Sequence, residues 1–424
     1  MEDSPSGYLT YLTDNYSTTM KYVIIIPDGA ADEPIAELDG RTILEAAKTP
    51  NLDKIAAAGQ IGTASNVPDG LPAGSDVANM SVLGCNPTLY YTGRAPLEAA
   101  AQGINLGPND WAVRCNMVTL ADQKMSSFTA GHISTQESAQ LLKSLQEAIA
   151  GRYPDGAVEF FPGVSYRNLL ILRDVAGFNP PLGKGTRTFP PHDYSDKKIL
   201  DVYPQGQGGD LLLDLMDLSA SVFVNHPVSV KRRSEGKPAP TNVWLWGQGK
   251  MPQLPKFMDR FGKTGTMITA VDLLRGIGTA LGFEIANVEG ATGFIDTNYT
   301  GKAQACLDAL KKTDLVCIHI EAPDESGHEG SVAHKLQSME DIDSKVIGPI
   351  WDALPSFGSF RMFITPDHPT PIRTKTHSYG VVPWVMAGTG IPASNAAAYN
   401  ETEAAAAKQY FPYGWELMEK LIRE

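Results

Sequence analysis

Seven residues scattered along this chain, Asp28, Ser75, Asp324, His328, Asp367, His368 and His377, have the types and surroundings of a site that moves a phosphoryl group beside two metal ions. Carboxylates and imidazoles together form a mixed oxygen and nitrogen ligand set for divalent cations, and a hydroxyl next to such ions is easily activated as a nucleophile. Asp324 and His328 stand four residues apart, so a helical turn or a tight loop lets them converge on one ion. Asp367 and His368 are adjacent. In an extended segment their side chains point to opposite faces and serve two ions, or one ion and its surroundings. His377, in a polar stretch from Thr374 to Gly380, can fold back over the same place. Asp28 follows four apolar residues, where an ionised carboxylate is costly unless paired or metal-bound. Ser75 has small residues before it and a helix-like run after it, so the free N–H groups of a helix start would face a phosphate held there. Taken singly, Ser75 and Asp28 also read as helix caps and His377 as a loop histidine.

These residues need elements to bring them together. Val23-Ile24-Ile25-Ile26 precedes Asp28, the apolar run 315–320 precedes Asp324, and Met362-Phe363-Ile364 precedes Asp367. Such runs read as buried parallel strands, and open α/β sheets bind ligands at the carboxyl ends of their strands. Between them the pattern predicts a helix over 43–58, begun near Thr42 and ended by Gly59, then a Gly/Pro-rich loop at 68–74 leading into Ser75. From about residue 95 the character changes. Short strand-like runs at 112–120 and 168–172 alternate with helices at 135–150 and 209–218, punctuated by Pro- and Gly-rich loops at 180–185 and 238–255. After residue 261 the strand–helix alternation resumes, with a strand at 264–269, helices at 270–281 and 302–312, and a loop and helix start at 396–407. The expectation is one α/β domain, residues 20–95 and 262–424, interrupted by an inserted smaller α+β domain at 96–261 and preceded by a tail at 1–19.

At 424 residues the chain exceeds the size at which a single core keeps growing. A net charge of -13 and a pI near 5.1 give no basic field for nucleic acid, so an anionic substrate needs local cations or metal. Cys85, Cys115, Cys306 and Cys317 form neither close pairs nor zinc-type spacings and are expected as free buried thiols in a reducing compartment. No apolar run approaches the roughly 20 residues that span a bilayer, and the first nineteen residues do not read as a signal peptide. A cytoplasmic protein with no membrane partner is expected.

Longer motifs accompany the seven residues in a fixed order: Pro27-Asp28-Gly29, Gly74-Ser75-Asp76, Gly93-Arg94-Ala95-Pro96-Leu97-Glu98, Arg114-Cys115-Asn116, Gly290-Ala291-Thr292-Gly293 with Asp296-Thr297-Asn298-Tyr299, Glu321-Ala322-Pro323-Asp324-Glu325 with Gly327-His328, and Pro366-Asp367-His368. From Met20 onward this set resembles the alkaline phosphatase superfamily and, within it, the cofactor-independent phosphoglycerate mutases of the archaeal type. The resemblance implies an alkaline-phosphatase-like, mostly parallel sheet flanked by helices, with the insertion as a lid hinged near Ala95 and Phe261. It implies metal-dependent interconversion of 3-phosphoglycerate and 2-phosphoglycerate, a step of glycolysis and gluconeogenesis, without bisphosphoglycerate. Ser75 would be transiently phosphorylated. One ion (Mn²⁺, Mg²⁺ or Zn²⁺) would sit on Asp324, His328 and His377, and another on Asp28, Asp367 and His368 with the Ser75 oxygen.

Under that resemblance the insertion supplies cations for the substrate carboxylate, with Arg114, Arg167 and His192 as candidates and Lys302 near the phosphate. Two other readings keep the same ligand set: a phosphotransferase acting on homoserine, and a catalytically silent metal-binding scaffold.

Overall fold

The computed structural model describes residues 20–424, so the tail expected at 1–19 lies outside the described residues. The Lys21–Pro27 strand sits in the middle of an eight-stranded sheet, with Val23 to Ile26 wholly buried. Its side chains alternate between faces. Val23 and Ile25 pack with Leu52, Ile55 and Ile342 on one side, while Ile24 and Ile26 pack with Met80, Leu274 and Met418 on the other. A strand buried on both faces reads as an unbroken apolar run, which is why this one was visible in the sequence.

Lys21–Pro27 pairs in parallel with Leu315–Ile320 and with Phe360–Ile364. Gly265–Ile268 and Glu284–Ala286 extend the sheet in parallel on one side. On the other side Val382–Gly388 runs antiparallel to both Phe360–Ile364 and Gln60–Ala64, and Tyr410–Phe411 adds a parallel edge. The result is the mostly parallel α/β sheet expected, with Val382–Gly388 alone reversed. Reversal has a positional consequence: the strand begins at the edge where its neighbours end, so the 365–381 connection stays at that edge and carries His377 there.

A second, antiparallel sheet is built around Trp111–Ala121, which pairs with Arg167–Leu172, Asn242–Gly249 and Lys124–Ser127, with Val158–Phe161 beyond Arg167–Leu172. It has its own core, including Val113, Leu141, Leu170, Leu215 and Trp244. One strand corrects the sequence expectation. Residues 238–255 read as loop because Pro and Gly crowd both ends, yet Val243, Trp244, Leu245 and Trp246 are strong strand formers and lie buried against Trp111–Ala121. The helix expected over 43–58 is likewise two. Ile43–Ala46 opens with a Thr42–Glu45 capping box and stops at Ala47, and Pro50 opens Pro50–Ala58, because the residue before a proline is steered away from helical geometry.

The short Ala95–Ala101 helix joins the two sheets. Leu97 belongs to the core under the large sheet, whereas Ala95 and Ala99 pack with Ala112, Leu169 and Ile171 of the small one. Gly276 in the Asp272–Leu281 helix permits the close approach, since a Cβ there would stand 2.2 Å from the Leu97 carbonyl oxygen. All four cysteines are buried and free. Among the described residues no helix is long and apolar enough to cross a membrane.

Candidate active site

All seven residues singled out by type converge at one edge of the large sheet. Asp28 follows Lys21–Pro27 directly. Asp324 and His328 sit one turn apart on the Ala322–Glu329 helix that follows Leu315–Ile320. Asp367 and His368 follow Phe360–Ile364, and His377 precedes the reversed strand. Ser75 is the first residue of the Ser75–Val82 helix, where Gly74 takes the N-cap position and no side chain caps the helix. The Ser75 hydroxyl is therefore not spent on capping and lies 3.1 Å from His368 Nε2.

Asp367 and His368 converge instead of diverging as an extended segment would require. The chain bends here, with the His368 N–H donating to Asp367 Oδ1, and His368 Nε2 comes to 3.4 Å from Asp367 Oδ2 and 3.5 Å from Asp28 Oδ1. Asp367 is held by the Gly29 N–H on Oδ1 and by Asn79 Nδ2, 2.7 Å from Oδ2. Asn79 also donates to the Ser75 carbonyl, tying the serine helix to the carboxylate. Gly29 is at φ +60°, and a Cβ on it would fall 2.5 Å from Asp324 Oδ1. Only glycine lets these two segments meet.

The hydrogen bonds fix which nitrogen of each histidine faces the centre. The Thr370 hydroxyl donates to Asp324 Oδ1, so at 3.2 Å it accepts from His368 Nδ1, which leaves the His368 Nε2 lone pair facing inward. His377 Nδ1 donates to the Ala73 carbonyl and His328 Nδ1 to the Lys375 carbonyl, turning both Nε2 atoms inward as well. Those two Nε2 atoms are 3.1 Å apart, and they lie 3.1 Å (His328) and 3.5 Å (His377) from the Asp324 oxygens. Histidines that spend Nδ1–H on an outer acceptor and aim Nε2 at carboxylates are arranged as metal ligands commonly are.

Charge leads to the same place. Burial, then Asp367, Asp324 and Glu321, push the Asp28 carboxyl well above its ordinary range, and Asp28 Oδ1 is buried without a hydrogen-bond partner. Burial opposes ionisation of Asp324, but hydrogen bonds from His328 and His377 hold it well below the usual value. The hydrogen bond to Asp324 raises His328 to about 9, so a proton occupies that position at neutral pH. Lone pairs facing lone pairs, an unpartnered carboxylate oxygen and a trapped proton are what cations would relieve, so the donor set fits divalent metal. Two overlapping ligand groups share His368: Asp28, Asp367 and His368, and Asp324, His368 and His377.

Two residues were missed from sequence. His319 lies inside the otherwise apolar Leu315–Ile320 strand, fully buried, and its Nε2 is 2.8 Å from Asp28 Oδ2 while Nδ1 meets the Thr269 hydroxyl. Burial lowers it to about 4, so it is neutral and donates Nε2–H to Asp28. A lone histidine in a strand buried on both faces was the available signal. Glu321, just past the same strand at the N-cap of the Ala322–Glu329 helix, groups with Asp28 and His319, and its Oε2 is also unpartnered. Burial and then Asp324 raise it to about 8.

The site opens into a cleft of 1160 Å³ between the two sheets, where Gly74, Asp76, His328 and His377 face Arg114 of the small sheet and His192 of the Pro191–Tyr194 helical turn. A neighbouring cavity of 520 Å³ is lined by Arg94, Glu98, Arg167, Asp272, Gly293 and Glu321. Of the four cations expected to meet substrate, Arg114 and His192 thus face the cleft and Arg167 the adjoining cavity. Lys302 faces neither. It is 1% exposed, burial lowers it to about 8, and its ammonium donates to the His319 carbonyl beneath the site.

A family profile described as 2,3-bisphosphoglycerate-independent phosphoglycerate mutase matches residues 56–229. The chain is 46% identical over 409 residues to a probable enzyme of that name from Geobacter sulfurreducens, covering 95% of this chain and 100% of that protein. To the corresponding Methanosarcina barkeri protein it is 47% identical over 387 residues, 91% of this chain and 95% of that one. Among solved structures, a Pyrococcus horikoshii protein superposes with a TM-score of 0.78 at 29% identity, covering 95% of this chain and 96% of the other. The cofactor-independent phosphoglycerate mutase of Thermoplasma acidophilum, at 22% identity and a TM-score of 0.65, covers 95% of this chain and 99% of the other and shares the fold. Identity near one residue in two, over 95% of the chain in one relative and 91% in the other, is a relation of descent and not of shape alone: this chain belongs to the 2,3-bisphosphoglycerate-independent phosphoglycerate mutase family.

Proposed function

We propose that this protein interconverts 3-phosphoglycerate and 2-phosphoglycerate through a phosphoserine at Ser75, without bisphosphoglycerate. The observation that carries the proposal is the Ser75 hydroxyl, free of capping duty at a helix start and 3.1 Å from His368 Nε2. Asp324, His328 and His377 would hold one divalent cation and Asp28, Asp367 and His368 the other, with Ser75 Oγ beside the second. Bound there, the cations would lower the proton affinity of the serine hydroxyl and neutralise charge on the phosphoryl group.

The chain's own residues account for the rest. Asn79 fixes Asp367 and the serine helix together, and His319 sets the orientation of Asp28. Ser75 Oγ takes the phosphoryl group from one glycerate hydroxyl and returns it to the neighbouring one, so the glycerate must stay enclosed and turn between the two transfers. Residues 96–261 would act as the lid that keeps water from the phosphoserine, and Arg114, with Arg167 and His192 nearby, would hold the carboxylate. The separate core of the small sheet supports that division of labour. The buried position of Lys302 supports a role under the His319 strand and not at the phosphate.

The test is ³¹P NMR of the metal-loaded protein with 3-phosphoglycerate and no bisphosphoglycerate. The expected result is 2-phosphoglycerate, and its absence at full metal occupancy overturns the proposal.

A further inference from the structure

The Gly93-Arg94-Ala95-Pro96-Leu97-Glu98 motif has no role in the chemistry described above, yet it lies where the two cavities meet. Glu98 divides its carboxylate between two arginines: Arg94 Nε is 3.1 Å from Oε1, and Arg114 Nε is 3.1 Å from Oε2. Both guanidinium groups are engaged through Nε. Among the described residues their terminal nitrogens meet no protein acceptor, and each side chain lines the cleft. Arg114 is held further by the Trp246 indole, 4.1 Å beneath its guanidinium carbon, and Trp246 is in turn fixed by donation to Asn116. Arg94 lines both the cleft and the neighbouring cavity. Two guanidinium groups this close repel each other unless a carboxylate stands between them, and Glu98 supplies it with a side chain only 18% exposed.

We propose that Glu98 is a positioning residue that sets Arg94 and Arg114 as a paired clamp for a ligand carboxylate, at the opposite end of the ligand from the phosphate. Charge supports the assignment: within the Arg94, Glu98 and Arg114 trio the two cations outnumber the one anion, which leaves the trio positive and suited to a carboxylate. Planar guanidinium edges presented side by side suit the same group. The supporting helix strengthens the case, because Ala95–Ala101 packs into the cores of both sheets and so fixes Glu98 relative to each. The identity of the carboxylate as that of a phosphoglycerate rests on the function proposed above; the clamp itself does not.

The experiment is calorimetric titration of the metal-loaded protein with two probes, 2-phosphoglycolate, which carries phosphate and carboxylate, and glycerol 3-phosphate, which lacks the carboxylate. Glu98→Gln keeps shape but accepts from only one arginine. It is expected to weaken 2-phosphoglycolate roughly tenfold or more while leaving glycerol 3-phosphate unchanged. Arg94→Gln, on a more exposed side chain, is expected to give the same selective loss and stands in if the first variant folds poorly. An equal loss for both probes would make Glu98 merely structural. No change, or tighter binding from the added positive charge, would equally overturn the clamp. If wild-type protein fails to convert 3-phosphoglycerate yet the variants show the selective loss, the mutase assignment falls and the clamp stands.

Discussion

Replacing Gly29 with alanine tests whether the convergence of the Asp28 and Asp324 segments is what makes the site. The substitution has two separable costs. Gly29 is at φ +60°, and an L-residue held there costs about 1–2 kcal/mol. In addition the new Cβ would lie 2.5 Å from Asp324 Oδ1 and 2.6 Å from Thr370 Oγ1, contacts that must open to at least 3.4 Å before they are ordinary. Asp324 anchors His328 and His377, and Thr370 orients His368, so the retreat distorts both ligand groups at once. A displacement approaching an ångström at reacting groups costs on the order of 100-fold in rate. Gly40→Ala is the control: its φ is +79°, but nothing lies within 4 Å of the added Cβ. By thermal unfolding of the metal-free proteins both variants should lose about 1–2 kcal/mol from the shared backbone term. Only Gly29→Ala should also lose metal affinity, read by Mn²⁺ titration, and turnover. If Gly29→Ala binds metal and turns over like Gly40→Ala, crowding at the carboxylate does not govern the site.

Ser75→Ala should retain fold and metal binding while abolishing both turnover and labelling of the protein by ³²P-substrate; substantial residual mutase activity would refute the covalent route. His319→Asn should weaken metal binding roughly 10- to 100-fold, because it removes the donor that orients Asp28, with activity partly restored by excess metal; unchanged affinity would leave His319 without that role. Loading with metal at about 100 times its dissociation constant should raise unfolding stability by about 2.7 kcal/mol over chelator-treated protein, seen as a higher midpoint in denaturant; coincident curves would refute a metal centre here. His328 is raised from 6.5 to about 9 in the metal-free protein, so whatever it contributes to stability is full below pH 6.5 and fades as pH rises toward 9. The same proton must leave when a cation takes its place, so metal uptake at pH 7.5 should acidify a weakly buffered solution, and an indicator dye that records no release would refute that ligand.

The sheet and its functional edge were legible because buried parallel strands write themselves as apolar runs, and each run here ends in an acid or histidine. Fold class and the shared sheet edge followed from that, while the family, and with it the grouping of all seven residues, came from the resemblance of the longer motifs around them. What the sequence hid was hidden for physical reasons. Asn242–Gly249 was masked by the prolines and glycines that flank it, although Val-Trp-Leu-Trp is strand-forming chemistry. His319 looked like one polar interruption of an apolar strand, and nothing local says that its partner is Asp28, 291 positions away. Lys302 carries a charge that suggested a ligand contact, and only packing shows its ammonium turned beneath the sheet. Asp367 and His368 were expected to face apart because neighbouring side chains do so in extended backbone. The bend closed by the His368 N–H brings them together, and local sequence does not announce it.

The reversed strand also bears on how the protein is made. Val382–Gly388 slots between Phe360–Ile364 and Gln60–Ala64, so the loop carrying His377 is pinned at both ends only after the residues through Gly388 have left the ribosome. The pairing with Gln60–Ala64 closes a gap of more than three hundred residues, a contact that forms late because distant segments meet slowly. Nascent chains therefore expose Asp28 and Ser75, and later Asp324 and His328, well before a third imidazole arrives. Until Val382–Gly388 has been made the chain offers carboxylates and a hydroxyl but an incomplete cage, so the full donor set assembles only once that strand has entered the sheet.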